Sequence, residues 1–401
     1  MATRQDSIKA DVARRAERLI ALRRAFHQAP EPSFEEAETA AEIARTLRAA
    51  GWETSEGVGG HGVAGLLRGT AGDSADSGHT LLIRADIDAL PIQEESNHSW
   101  RSRHDGVMHA CGHDGHIAIT LTLAELLAER RDAFHGAVKL AFQPAEERIA
   151  GALAMIENGV MRDPQVDATL GLHLWTPIPV GQVSVAPGPV FSSADEIFLR
   201  VRGRGGHGSM PQLSVDPIVI AAQIISALQT LVSREISPFH PAVVTFGSIQ
   251  GGTAFNVIAD SVEMRGSLRA YEAADRELLR RRVGEVAREV AVAMRAEVDY
   301  EILGGCPACV NDPGMAALVR RAAVATVGAA NAPEGDQRQA ASDDMAFFLE
   351  VAPGCYFFVG AGDPTRGIVA PHHSARFDIA EESLAIGLET LTRATLEYLK
   401  A

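Results

Sequence analysis

The stretch Cys111-Gly112-His113-Asp114-Gly115-His116 packs a thiol and two imidazoles into one glycine-jointed turn. Farther along the chain come a Glu146-Glu147 pair, His173 behind an apolar run, and a His372-His373 pair. Sulfur, imidazole and carboxylate donors together suit a first-row divalent ion such as zinc, nickel, cobalt or manganese. Adjacent glutamates add what a purely structural site lacks: one carboxylate to bind an ion and one to move protons. The sequence therefore predicts a catalytic metal centre with two ions. Cys111 could bridge them, because a thiolate has lone pairs to spare.

The donors differ in how firmly spacing assigns them. Cys111 and His113 flank one glycine, which suits a turn that points both side chains at one centre. His116 falls inside the following helix and reads as packing or as support for a ligand. Taken alone, His173 would be an ordinary core histidine, and one of His372 and His373 could join the site. Spacing does not say which of Glu146 and Glu147 binds metal. Asp86 and Asp88 end a strand in RADIDALP; an acid there either ligates metal or orients a ligating imidazole. Two G-x-G-x-x-G strings, at Gly57 and Gly203, lack the strand–turn–helix unit of a dinucleotide fingerprint. The second presents His207 on a flexible loop. Cys306-Pro307-Ala308-Cys309 has neither a helix start nor a second pair, so it reads as a domain-boundary turn rather than a redox or zinc motif.

These residues need elements to carry them. Residues 8–50 read as an amphipathic helical region broken near Pro30 and Pro32. HTLLIRADIDALPI, GAVKLAFQPAEE and DATLGLHLW each hold an apolar strand whose end delivers polar residues, and a helix follows the Cys/His turn directly. Ligands of open α/β sheets bind at that carboxyl edge. The middle changes character. An alternating strand, a helix with Asp216 as N-cap and Pro217 at its first position, two more strands, a second helix and a last strand give the order βαββαβ. The chain after residue 305 returns to helix and strand alternation, with a buried strand at GCYFFVGAG and a C-terminal helix from about Glu381. The predicted fold class is α/β: a di-metal catalytic domain with a mixed central sheet flanked by helices, in two parts, 1–189 and 305–401. Between them, 190–304 forms an inserted ferredoxin-like domain.

The bulk properties narrow the partners. At 401 residues, two domains is the default. A net charge of −15 argues against nucleic acid or anionic membrane, which need a basic surface. No uninterrupted apolar run is long enough to cross a bilayer. The charged N-terminus, MATRQDSIKADVARRAERL, has no signal core. With four cysteines and no disulfide pattern, the sequence points to the cytoplasm.

At these motifs the chain resembles the metal-dependent amidohydrolases of the aminoacylase and carboxypeptidase group, in the branch of hippurate hydrolases, N-acyl-amino-acid amidohydrolases and auxin-conjugate hydrolases. The similarity runs through FHQAPEPSFEE, RADIDALPI, MHACGHDGH, QPAEE, GLHLW, GRGGHGSMP, GGTAFNVIAD, ASDDMAFF, PGCYFFVGAG and HSARFD. The resemblance implies metal ligands at Cys111, His113, Glu147, His173 and His373, and a general base at Glu146. It implies a lid-domain histidine at His207 that polarises the scissile carbonyl. Asn256 and Arg269 would hold the substrate carboxylate. It further implies two divalent ions (Zn, Mn, Co or Ni), a lid that also dimerises, and a homodimer or higher oligomer. The implied reaction is hydrolysis of N-acyl amino acids to a carboxylic acid and an amino acid. An exopeptidase or dipeptidase on the same scaffold is the alternative, and a non-catalytic metal-binding protein a more distant one. Gln212, Ala375 and Arg148-Ile149-Ala150 depart from the family pattern at positions that bear on substrate preference rather than on the ligand set.

Overall fold

The computed structural model describes residues 4–71, 78–335 and 338–400. The chain divides into two compact units. One comprises Met1–Val190, Val310–Gln337 and Asp343–Ala401; the other comprises Phe191–Cys309 and Arg338–Ser342.

The first unit is built on a seven-stranded mixed sheet in the order Glu53–Glu56, Val63–Arg68, Ala137–Gln143, Thr80–Asp86, Ala168–Pro179, Gly354–Gly362, Val183–Ser184. Its four middle strands run parallel. They read as continuous apolar runs because helices cover them: every residue of Thr80–Asp86, Ala137–Gln143 and Gly354–Gly362 is buried. Thr80–Asp86 sends the chain to Ala137–Gln143 on one side, and the chain then crosses back to Ala168–Pro179 on the other. That reversal makes a topological switch point beside Asp86, where open α/β sheets bind ligands. The N-terminal helical region is three helices, Arg4–Arg14, Ala16–Gln28 and Ala37–Ala49. Besides the break around the prolines there is one at Arg15, whose φ of −100° and ψ of 0° leave the helical range. The edge strand Glu53–Glu56 is polar and mostly exposed, so hydropathy gave no sign of it.

The second unit has a four-stranded antiparallel sheet in the order Ala242–Gly251, Ser261–Ala270, Ala194–Arg202, Glu297–Cys306. Alternation decides its buried face. Ile197, Leu199 and Val201 point into a core with Ile220, Ile224 and Leu228 of the helix Pro217–Thr230 and Leu279, Val283 and Ala287 of the helix Ala273–Ala293. Asp216 caps the first of these helices, accepting from the backbone N–H of Ile218 at 3.0 Å. With its continuation, the helix Pro217–Glu235 is long and apolar enough to cross a membrane by length and composition; Ile220, Ala221, Ile224, Leu228 and Leu231 pack it into this core instead. Cys306 and Cys309 are buried thiols at the end of one strand and the start of the next.

Candidate metal centre

Five segments of the first unit deliver side chains to one place. Gly112, at φ 91°, turns the chain into the helix His113–Ala128, so that Cys111 lies just before the helix and His113 begins it. The strand Thr80–Asp86 ends at Asp86, with Asp88 two residues on. Ala137–Gln143 leads into Glu146-Glu147, Ala168–Pro179 carries His173, and the loop after Gly354–Gly362 carries His372-His373. Register sets the level: Arg84 pairs with Gly171, which brings Asp86 alongside His173.

The glutamate turn is conformationally costly. Ala145 (φ 49°, ψ 41°) and Ile149 (φ 52°, ψ 46°) are both left-handed and bracket Glu146–Arg148. His373 is left-handed too, at φ 63°. Side-chain-bearing residues adopt this region rarely, β-branched ones least of all, and each instance costs about 1–3 kcal/mol. Gly151 is required beside the turn: a Cβ there would lie 1.6 Å from the carbonyl oxygen of Pro144.

The donors converge in overlapping groups. Atoms of Cys111, His113 and His173 lie within 4.8 Å of one another, and so do atoms of Cys111, Glu147 and His373, and of His113, Glu146 and Glu147. Cys111 belongs to two of these groups. Its Sγ is 3.6 Å from His173 Nε2, and His373 Nε2 is 3.4 Å from Glu147 Oε1. Backbone carbonyls fix the imidazole tautomers. His113 Nδ1 donates to the carbonyl of Asp88 and His173 Nδ1 to that of Leu174, each at 2.8 Å. In the neutral form each ring therefore turns an Nε2 lone pair toward the cluster. His116 is different: Nδ1 donates to Asp86 Oδ1 at 2.6 Å and Nε2 accepts the N–H of Leu174 at 3.0 Å, so both its nitrogens are engaged. His372, partly exposed, stacks on Trp175, ring centroids 4.4 Å apart, and its Nε2 accepts the N–H of Thr176.

The electrostatics ask for a cation. His113 Nε2 and Glu147 Oε1 are buried with no hydrogen-bond partner among the described residues. Burial pushes the Cys111 thiol well up, and Glu147 and Glu146 add to it. Burial also lifts Glu146 well above the usual carboxylate range, aided by Asp343, Glu147 and Asp344. Burial opposes the charge on His113, but Asp86 and Asp88 outweigh it and hold the ring up to about 10. A divalent ion reverses each of these tendencies, favouring thiolate, carboxylate and neutral imidazole. The S, N and O donors present thus fit such an ion.

A profile of peptidase family M20/M25/M40 matches residues 82–397, which include all of these donors. The chain belongs to this family. It is 39% identical over 375 residues to an N-acetylcysteine deacetylase of Bacillus subtilis (92% of this chain, 93% of that one). It is 36% identical over 387 residues to the IAA-amino acid hydrolase ILR1-like 4 of Arabidopsis thaliana (95% and 86%). Among solved structures, it matches the Bacillus subtilis YXEP protein, described as a dinuclear metal binding peptidase from the M20 family. The TM-score there is 0.82 at 32% identity, covering 96% of this chain and 98% of that one. As a member of the M20 group, the chain is a hydrolase acting on amide bonds, with a mixed α/β fold.

Within this M20 chain the remaining candidates lie in the second unit. His207 and Asn256 are brought together there: Val257 pairs with His207, and Gly208 N–H donates to Asn256 O at 2.8 Å. Both side chains are exposed. Arg269 lies on the strand Ser261–Ala270, with Nη1 donating to Ser342 Oγ at 3.0 Å.

Sequence reasoning passed over a buried network behind Glu146. Arg84 donates from Nη1 to Asp86 at 2.7 Å and from Nη2 to Asp343 and Asp344 at 3.0 Å each. Tyr356 donates its hydroxyl to Asp343 at 2.6 Å, and Gln143 donates to Asp344 at 2.7 Å. Carboxylate oxygens of Glu146, Asp343 and Asp344 lie within 4.8 Å of one another. A signal existed in TLLIRAD, where an arginine interrupts a strand too apolar to be exposed.

Proposed function

We propose that this M20 hydrolase cleaves the amide bond of N-acyl amino acids, of hippurate or N-acetyl type, releasing a carboxylic acid and a free amino acid. The observation that carries the reading is Cys111 shared between two donor groups, with Glu146 beside them as a carboxylate of separate environment. The deacetylase and auxin-conjugate hydrolase relatives, named for different acyl groups, have an acylated amino acid in common.

Cys111, His113, Glu147, His173 and His373 would hold two divalent ions, drawn from Zn, Mn, Co and Ni. Such ions, when bound, supply Lewis-acid polarisation and make water a better nucleophile at neutral pH. Glu146 takes the proton from the attacking water and delivers it to the leaving nitrogen. Asp88 and Asp86 orient the imidazoles of His113 and His116. His207 supports the developing oxyanion. Its Nδ1 accepts the N–H of Ser209 at 3.2 Å, which in the neutral ring leaves the proton on Nε2, a donor suited to that task. Arg269 and Asn256 hold the substrate carboxylate, since a guanidinium recognises carboxylates by charge-assisted hydrogen bonds.

Residues 190–304, which make up most of the second unit, serve as a ferredoxin-like lid inserted between the two parts of the catalytic domain. Their strand order and two helices on one face support this. The same unit supports a homodimer. The edge strand Ala242–Gly251 exposes Val243 and Ile249, and the neighbouring helix exposes Ile218 and Val219. We expect light scattering to give the mass of a dimer, and Ile249→Asp to give a monomer; a monomeric parent protein would refute the assembly. Four buried thiols suit the cytoplasm.

The deciding experiment assays N-acetyl and N-benzoyl amino acids against free-amine dipeptides, with zinc, manganese, cobalt and nickel in turn. Preference for the acylated substrates is expected. Preference for dipeptides would select the exopeptidase reading, which the peptidase description of the YXEP protein favours. In the same assay His207→Ala should lower turnover by about 10²-fold or more, the usual effect of losing one oxyanion donor, with metal content unchanged. Unaltered turnover would remove His207 from the mechanism.

A further inference from the structure

Three consecutive backbone N–H groups of the glutamate turn are held by two carboxylates from other parts of the first unit. Ala145 donates to Glu36 Oε1 at 2.8 Å, Glu146 to Asp88 Oδ1 at 3.1 Å, and Glu147 to Asp88 Oδ2 at 3.1 Å. Ser33 Oγ donates to Asp88 Oδ2 at 2.6 Å. Ser33 and Glu36 flank Phe34, itself left-handed at φ 72°, in the segment that enters the helix Ala37–Ala49. Of the six non-glycine residues with positive φ among the described residues, four therefore lie in this segment, the glutamate turn or the His373 loop.

Glu36 is a poor choice for stability. It is completely buried, and its Oε2 has no hydrogen-bond partner among the described residues. Burying a carboxylate with one oxygen unmatched is costly, and a leucine of similar size would avoid that cost. What the carboxylate does achieve is to hold the N–H of Ala145, the residue whose left-handed backbone starts the glutamate turn. Asp88 acts at both of its ends: its carboxylate holds the next two N–H groups, and its own carbonyl accepts from His113 Nδ1. The bonds from Ser33 and to Ala145 thus tie the segment 33–36 to a base, a metal ligand and a ligating histidine at once.

We propose that Glu36 is a positioning residue for amide hydrolysis: with Ser33 and Asp88 it latches the strained Ala145–Glu147 backbone so that Glu146 and Glu147 point into the metal centre. This rests on the reading of Glu146 as base and Glu147 as ligand. A relaxed turn would swing both carboxylates together, because they share one short stretch of backbone.

The test compares Glu36→Leu, Glu36→Gln and Ser33→Ala with the parent protein. Hydrogen–deuterium exchange on metal-free protein comes first, because it needs neither metal nor substrate. In Glu36→Leu the peptide spanning Ala145–Glu147 should exchange about tenfold faster while the rest of the unit is unchanged. With metal restored, kcat should fall about 10–100-fold, the usual effect of removing support one step from a metal ligand, with KM within about threefold. Glu36→Gln keeps an oxygen to accept from Ala145 and should recover kcat to within about threefold. Ser33→Ala, which leaves Glu36 in place, should shift local exchange in the same direction and less, and it stands in if Glu36→Leu does not fold. Unchanged local exchange in the variants, a uniform rise in exchange across the unit, or Glu36→Gln as slow as Glu36→Leu would each overturn the latch. Glu146→Gln, assayed alongside, separates the two ideas: if it remains active the base assignment falls, whereas the exchange result still judges the latch.

Discussion

Glu146→Gln should lose hydrolysis by about 10²–10⁴-fold while retaining its metal and its melting temperature. The substitution keeps the size of the side chain and removes its basicity. Its Oε2 lies 3.9 Å from His113 Nε2, close enough to serve the centre and outside hydrogen-bond contact with the ring. Without cations, burial and the acids Asp343, Glu147 and Asp344 hold this carboxyl protonated well above the usual range. Positive charge in the centre lowers it again, so the base becomes competent when the site is loaded. The sign of the pH effect follows. A base must be deprotonated to act, so parent turnover should fall as pH drops below the loaded-site pKa of Glu146. The residual turnover of Glu146→Gln should lose that acid limb. Stability should not suffer, because an amide at this position no longer competes with Asp343 and Asp344 for negative charge and can donate to them. Activity within tenfold of the parent protein, with an unchanged acid limb, would assign the proton transfer to another group.

The chemistry of this site was legible because its donors are rare residue types crowded against glycine. Cys111 and His113 announce themselves by spacing, and Glu146-Glu147 gains meaning from that company. The histidine doublet was not legible in the same way. His372 and His373 are identical side chains, and the left-handed φ of His373 is what separates them. One ring packs on Trp175, and the other reaches Glu147 from a half-exposed position. No pattern of residue types encodes that backbone choice directly. For Asp86 and Asp88 the sequence leaves ligation and support open; in the structure Asp86 binds the side chains of Arg84 and His116, whereas Asp88 holds two backbone N–H groups and the Ser33 hydroxyl. Such bonds to main chain leave no partner residue to look for. Glu36 escaped for the same reason, since its partner is the N–H of an alanine. The polar edge strand Glu53–Glu56 was invisible to hydropathy because it buries almost nothing.

The second large effect expected is on stability, from Arg84→Met. Arg84 is buried among Asp86, Asp343 and Asp344, and its three ion pairs are all at 3.0 Å or less. Methionine fills much of the same volume but leaves these acids uncompensated. Removing one partner from a buried ion pair typically costs about 3–5 kcal/mol, because the remaining charge cannot reach water. The effect should depend on pH in a direction the acids fix. Asp344 is pushed up to about 7, by burial first and Asp343 next, with Arg84 opposing. Above pH 7 it is charged in the parent protein beside Arg84, and without Arg84 the same ionisation next to Asp343 costs more. Near pH 5 it is protonated, so the deficit of Arg84→Met relative to the parent protein should shrink. Asp86 acts in the opposite sense in the parent. His113, His116 and Arg84 overcome its burial and hold its carboxyl well below the usual range. The stability it contributes is therefore present above the ordinary aspartate pKa and lost as pH falls through the lower folded value. Urea unfolding of both proteins, metal-free, at pH 5 and pH 8 measures the difference. A deficit equal at the two pH values would show that Asp344 is not the carboxylate that Arg84 compensates. A larger deficit at pH 5 would place the uncompensated charge elsewhere than on these carboxylates.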